Sequence, residues 1–272
     1  MLSIHLSSFS ENTPLHTPPG EHSLLKLPEG HGFIHSLTSD SQQFNQSKEY
    51  LLDPRKMRLG RLSKSVKTSA RLHVEDLDAS GKRYQAWFIT TTYREGVAWK
   101  PLHITNMLKN VRDWCSRQGV RFRYVWVAEI QTKRQFKMGG HCVHYHLMVF
   151  LPRHLQLPKF DKRGWWPHGM TQTVKAIKPI GYIAKYASKG GDAGYFPKGC
   201  RLHGVGGLDL KSRWQKTWWM CPAYVREWWP DIEDRPSRAA GGGWISKLTG
   251  DWRAAKYDLF SFNPLIIRER MA

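Results

Sequence analysis

Residues 143–151 read VHYHLMVFL, from Val143 to Leu151, and a run this rich in β-branched and aromatic side chains forms a strand. Successive side chains of a strand point to opposite faces, so His144 and His146 share one face while Tyr145, Leu147 and Val149 enter a core on the other. Two imidazoles side by side on a rigid strand can hold a divalent ion when a third ligand approaches from a neighbouring strand. Two other readings stay open from the residues alone: histidines merely tolerated in a strand, and a structural zinc site that also uses His141 and Cys142.

Working outward, the pattern on both sides is mostly strand. Arg121 to Ile130 (RFRYVWVAEI) reads as a strand, followed by the polar segment Gln131–Gly140, whose Gly139-Gly140 suits a hairpin loop. Glu129, on that strand, is the carboxylate best placed to join the two histidines. Trp87 to Tyr93 (WFITTTY) is a further strand, after which Pro101 opens a helix with Ile104, Leu108, Val111 and Cys115 at helical spacing and Gly119 at its end. Gly169 to Ile177 (GMTQTVKAI) is another strand, and a short helix, Gly181–Lys189, follows Pro179 and stops at Gly190-Gly191. Strands outnumber helices and neighbours are joined by short loops, which predicts an α+β fold: an antiparallel sheet with helices packed on it.

In the short helix, Tyr182, Lys185, Tyr186 and Lys189 fall at i, i+3, i+4 and i+7, one stripe, with Ile183, Ala184 and Ala187 on the opposite face. Buried ammonium groups are expensive, so a Tyr/Lys stripe is a poor core stripe. It is either an exposed amphipathic face or the working face of a site. A phenol oxygen can attack a phosphodiester polarised by a metal ion, leaving a covalent phosphotyrosine, and a nearby lysine can orient the phosphate or offset developing charge.

Charge narrows the partner. The chain has 272 residues, with 42 Lys+Arg against 22 Asp+Glu, net +20, which favours a polyanion. Residues 51–200 carry 28 Lys/Arg and 9 Asp/Glu, net +19, whereas residues 1–50 are at net −3. No apolar stretch approaches the roughly 20 residues that span a bilayer, and no signal peptide is readable, so a membrane partner is not expected. The cysteines Cys115, Cys142, Cys200 and Cys221 form no Cys-x-x-Cys pair, which argues against a disulfide framework and suits a reducing cytoplasm. No GKS or GKT phosphate-binding loop is present, so the chain carries no P-loop helicase of its own.

Four segments follow. Residues 1–54, rich in Ser, Thr, Pro, Gln and His, read as a poorly ordered arm. Residues 55–79 are a basic linker or helix, in which Arg58, Arg61, Lys64, Lys67 and Arg71 would share a helical face, open to phosphates or simply solvated. Residues 80–200 are the domain with the motifs. Residues 201–272 hold seven of the 13 tryptophans and read as a helical extension whose indoles stack on unpaired bases or pack on the sheet; Trp165 and Trp166 are further candidates for lining a DNA channel.

Three motifs in this order, FITTTY (Phe88–Tyr93), HYH (His144–His146) and YIAKYASK (Tyr182–Lys189), resemble those of the HUH endonucleases. The likeness is to the rolling-circle replication initiators of single-stranded DNA phages, filamentous ones in particular, and of related plasmids. Conjugative relaxases, by contrast, place their tyrosine before the histidine pair. The resemblance implies the HUH fold, a five-stranded antiparallel sheet with the histidines on a central strand. It implies His144, His146 and Glu129 as ligands of Mg²⁺ or Mn²⁺, Tyr182 and Tyr186 as nucleophiles, and Lys185 and Lys189 as helpers. The implied partners are single-stranded or locally melted origin DNA and a host helicase, in the cytoplasm of a bacterial host. Alternatives are a plasmid initiator or single-strand transposase of the same superfamily, and a non-catalytic basic DNA-binding protein with structural zinc.

Overall fold

The computed structural model describes residues 47–131, 142–189 and 196–270, all within the unit Gly32–Ala272. Residues 1–46, which make up most of the expected arm, lie outside the described residues, as do most of the expected hairpin loop and the Gly190-Gly191 helix stop.

A short strand, β1 (Glu49–Leu51), precedes a long helix, α1 (Pro54–Ala79). Its start is set locally: the Asp53 carboxylate accepts from the backbone N–H of Arg55 at 2.8 Å and of Lys56 at 3.2 Å, and Pro54 pre-sets the first helical φ. The segment 55–79 is therefore helix, with Leu62, Val66 and Ala70 buried at four-residue spacing. Then come β2 (Tyr84–Tyr93), α2 (Leu102–Arg117), β3 (Arg123–Ile130), β4 (Val143–Pro152), β5 (Gly169–Ala176), α3 (Pro179–Ser188) and β6 (His203–Gly206). Helix α2 ends where Gly119 adopts φ +67°, a conformation only glycine takes at low cost.

The five strands form one sheet in the order β5-β2-β4-β3-β6, antiparallel at every step, with the histidine strand β4 in the middle. The fold is thus α+β around a five-stranded antiparallel sheet, as the pattern predicts. Both faces are covered. Tyr145, Leu147, Val149 and Leu151 pack with Ile89 of β2 against Ile104, Met107, Leu108 and Val111 of α2. On the other face Phe88, Val125, Val127, Met148 and Phe150 lie under Leu62, Val66 and Ala70 of α1 and Ile183 and Ala187 of α3. Each such fully buried side chain contributes about 1.5–3 kcal/mol. This double cover explains why VHYHLMVFL is apolar at nearly every position rather than alternating.

Three features depart from the sequence reading. First, β6 is a strand that its sequence His203-Gly-Val-Gly206 does not announce. Its glycines are needed because the rings of Trp126 and Tyr124 on β3 cross the strand where a Cβ would stand. Second, the C-terminal region is not a helical extension. Two helices, α4 (Leu210–Met220) and α5 (Ala223–Trp228), lead into five short strands: β7 (Ser237–Arg238), β8 (Gly243–Ile245), β9 (Trp252–Ala254), β10 (Tyr257–Phe262) and β11 (Leu265–Glu269). One three-stranded sheet is β7-β8-β9; the other, β1-β11-β10, recruits Glu49–Leu51 from the expected arm, with Glu49 opposite Arg268. Pairing across more than 200 residues leaves no local period to read.

Third, Trp165 and Trp166 do not line a channel. Trp166 is fully buried in the α2-side core, its indole N–H donating to the Thr92 carbonyl at 3.2 Å, and Trp165 packs against Trp114 and Phe160. A base cannot stack on a ring already enclosed on both sides. Most C-terminal tryptophans also pack within the chain: Trp229 and Trp244 share a small core with Cys221, Val225 and Ala255, and Trp218 donates to the Trp229 carbonyl at 2.8 Å. All four cysteines are free thiols. Among the described residues no helix is long and apolar enough to cross a membrane.

Candidate active site

Antiparallel register lines up the face of the sheet beneath α1 and α3 in rows. One row, Val174–Phe88–Met148–Val125–Val205, is apolar. The next, Gln172–Thr90–His146–Val127–His203, is mixed. In the third, His144 on β4 stands directly opposite Glu129 on β3. Polarity thus rises toward one end of a single sheet face.

At that end Glu129 Oε2 lies 2.6 Å from His146 Nε2, and Thr90 Oγ1 lies 3.1 Å from His146 Nδ1, so both imidazole nitrogens are engaged and the ring is fixed. His144 is buried at 5% exposure with its ring centroid 6.3 Å from that of His146. Helix α3 brings the tyrosines onto this row because Ile183 and Ala187 anchor its other face in the core. The Tyr186 ring stacks on His146 at 3.8 Å between centroids and on Phe88 at 5.1 Å; Tyr182, one turn earlier and 44% exposed, meets Phe88 edge-on at 4.6 Å. Lys189 Nζ stands 3.4 Å from Glu129 Oε1 and 5.1 Å from the Tyr186 ring centroid.

The electrostatics follow from this packing. Burial alone would raise the Glu129 carboxyl, but the hydrogen bond and charge of His146, with the Lys189 ammonium, outweigh it and hold the group below its ordinary value. Burial, then the neighbouring Tyr182, pushes the Tyr186 phenol up, with Lys189 opposing. Tyr186 therefore stays protonated at neutral pH until a further positive charge or a base assists it.

The structure brings together Glu129, His146, Tyr186 and Lys189, with His144 and Tyr182 beside them. Lys185 is exposed on α3, and its side chain makes no hydrogen bond or ion pair among the described residues. The α1 stripe is divided. Arg58, Arg61 and Lys67 are exposed, whereas Lys64 donates to the Cys221 carbonyl at 3.2 Å and Arg71 lies over Trp219 at 4.3 Å with Glu75 at 3.3 Å. Two participants escaped the sequence reading, Thr90 and Phe88. Both lie on the FITTTY strand, but their contacts follow only from the register of β2 against β4.

Two imidazoles and an ionised carboxylate are a donor set for a divalent ion that accepts nitrogen and oxygen ligands. Among the described residues no three His, Cys, Asp or Glu side chains are already gathered as a metal centre, since Glu129 bonds His146 directly. The set suits an ion once that carboxylate turns from the imidazole. His141 lies outside the described residues.

Neither the curated proteins nor the solved structures contain a match to the chain. Over residues 86–191, from β2 through α3, the chain matches the family model described as replication-associated protein of the ORF2 type.

Proposed function

We propose that the protein initiates rolling-circle replication of a phage genome by nicking one DNA strand through tyrosine attack and later rejoining strands. The observation that carries this reading is the Tyr186 ring stacked on His146, itself 2.6 Å from Glu129: a nucleophile, two candidate ligands and a cation brought together from three elements. The match to a replication-associated family supports DNA as the partner.

His144, His146 and Glu129 would hold Mg²⁺ or Mn²⁺, which when bound supplies positive charge to the phosphate oxygens. The rest is work for the chain. A tyrosine oxygen bonds to phosphorus as the bond to the 3′ oxygen breaks, giving a 5′-phosphotyrosyl link and a free 3′-hydroxyl. Lys189, held beside Tyr186 and Glu129, lowers the cost of phenolate formation and keeps the carboxylate ionised. Thr90 holds the His146 ring through Nδ1, a task that a hydroxyl performs as donor or acceptor. The ester conserves the energy of the broken bond, so rejoining needs no ATP, and the second tyrosine can attack the next junction. A host helicase opens the duplex.

The test is a labelled single-stranded origin fragment incubated with protein and Mn²⁺ and run on a denaturing gel. Wild type forms a covalent adduct; the Tyr182→Phe, Tyr186→Phe double variant forms none. An adduct with the double variant sinks the reading. Each single variant then shows which tyrosine reacts first.

A further inference from the structure

At the same end of the sheet, but on the α2 side, a second group of side chains meets without a role in the chemistry above. The rings of His103, in the first turn of α2, and His168, just before β5, stack at 3.6 Å between centroids and 16° between planes. The Tyr93 hydroxyl lies 3.0 Å from His103 Nδ1, and the Trp166 ring stands edge-on to His168 at 5.1 Å. Arg94 is tied to the same corner: its N–H donates to the His168 carbonyl at 2.9 Å and its guanidinium to the Pro167 carbonyl at 3.0 Å. Lys100 completes the group through the bond of its carbonyl with the His103 N–H at 3.2 Å.

Both imidazoles are half-exposed, Arg94 and Lys100 are exposed, and none of the four has a carboxylate within ion-pair distance among the described residues. Four cationic or protonatable groups gathered without a counter-charge oppose one another. Burial holds both imidazoles below their ordinary value, followed by the neighbouring ring and Lys100 for His103, and by Arg94 and Lys100 for His168. Tyr93 lies three residues beyond Thr90 on β2, roughly 10 Å along the strand from the residue that touches His146.

We propose that Arg94, Lys100, His103 and His168 form a phosphate clamp for the DNA strand flanking the one that reacts. It rests on DNA being the substrate. A phosphate arriving here replaces mutual repulsion with charge-assisted hydrogen bonds and draws protons onto the imidazoles, so binding takes up protons and tightens as pH falls. The groups facing the pair are Tyr93 from β2, Trp166 before β5, and the cations Arg94 and Lys100 from the β2–α2 connection; none supplies negative charge at neutral pH.

The experiment uses the full chain with Tyr182→Phe and Tyr186→Phe, so that nothing is cleaved, and a fluorescent single-stranded oligonucleotide of mixed sequence. Anisotropy gives Kd across a salt series at about pH 6 and about pH 8, either side of an ordinary imidazole value. The parent binds several-fold more tightly at the lower pH. Adding His103→Gln and His168→Gln removes that difference. Adding Arg94→Gln and Lys100→Gln instead, two exposed changes that leave the core alone, weakens binding at both pH values and reduces the salt slope by about 0.7 per lost contact. An unchanged pH response in the histidine variant with an unchanged salt slope in the Arg/Lys variant overturns the clamp while leaving the nicking reading intact. A parent that binds no DNA overturns both. If the histidine variant does not fold, the Arg/Lys variant decides alone through its salt slope.

Discussion

Two imidazoles are buried on the same side of the same sheet, one at each end, and they have opposite surroundings. His146 has Glu129 at one nitrogen, Thr90 at the other and the Tyr186 ring on its face. His73 of α1, fully buried, lies on Phe150 at 5.2 Å between centroids, and neither ring nitrogen has a side-chain hydrogen-bond partner. Burial and residue type are shared; partners are not. At the apolar end, burial and then the Arg123 charge push the His73 imidazole down to about 3, so it serves as a flat neutral filler. At the polar end two strands and a helix direct side chains at one ring. What separates a site from a core on this face is therefore cross-strand register, which changes the rows from apolar to polar within a few residues.

The largest effect is expected from exchanging roles at the two ends. His146→Ala should lower nicking by at least about 10³-fold, since it removes a ligand and the ring under Tyr186, with only modest loss of stability. Met148→Ala, one row away, should cost about 2–5 kcal/mol in chemical denaturation yet retain nicking per folded molecule. If His146→Ala mainly unfolded the chain, or folded Met148→Ala were inactive, the division into site and core would fail. Next in size, Thr90→Val should lower Mn²⁺ affinity or nicking about 10–100-fold at near-constant stability, read by metal titration beside a denaturation curve.

The smallest effect concerns His73 and is seen only in acid. Its folded value is depressed relative to an ordinary value of 6.5, so the unfolded chain binds the extra proton first. The stability it contributes is complete above about pH 6.5 and is lost as pH falls from there toward about 3. One proton corresponds to a slope of about 1.4 kcal/mol per pH unit. His73→Leu should flatten the stability–pH curve by about that much between these limits. A curve that keeps its wild-type slope would mean that His73 is not what makes the apolar end acid-sensitive.

Much of the fold was legible. The β2, β3, β4 and β5 strands and helices α2 and α3 each have enough apolar periodicity to be seen locally, and the Asp53-Pro54 start of α1 is written in two residues. The site was legible where spacing alone places side chains together: His144 with His146 on a strand, and Tyr182 with Tyr186 on a helix. What escaped was non-local. β6 is four residues with two glycines, readable only once the Trp126 and Tyr124 rings that cross it are known. Strand β1 finds its partner near the other end of the chain, and Trp166, read as a surface indole, is enclosed by Tyr93 and Tyr145.

By itself the sequence determined which residues share a face of an element, because the periods of strand and helix follow from backbone geometry, and it determined the net charge of +20. Only the tertiary structure decided which faces meet. It set Glu129 opposite His144, laid Tyr186 on His146, and stacked His103 on His168, contacts between elements 15 to 65 residues apart. Such contacts depend on register and on how helices seat on the sheet, and both are settled by packing of the whole core rather than by any one segment.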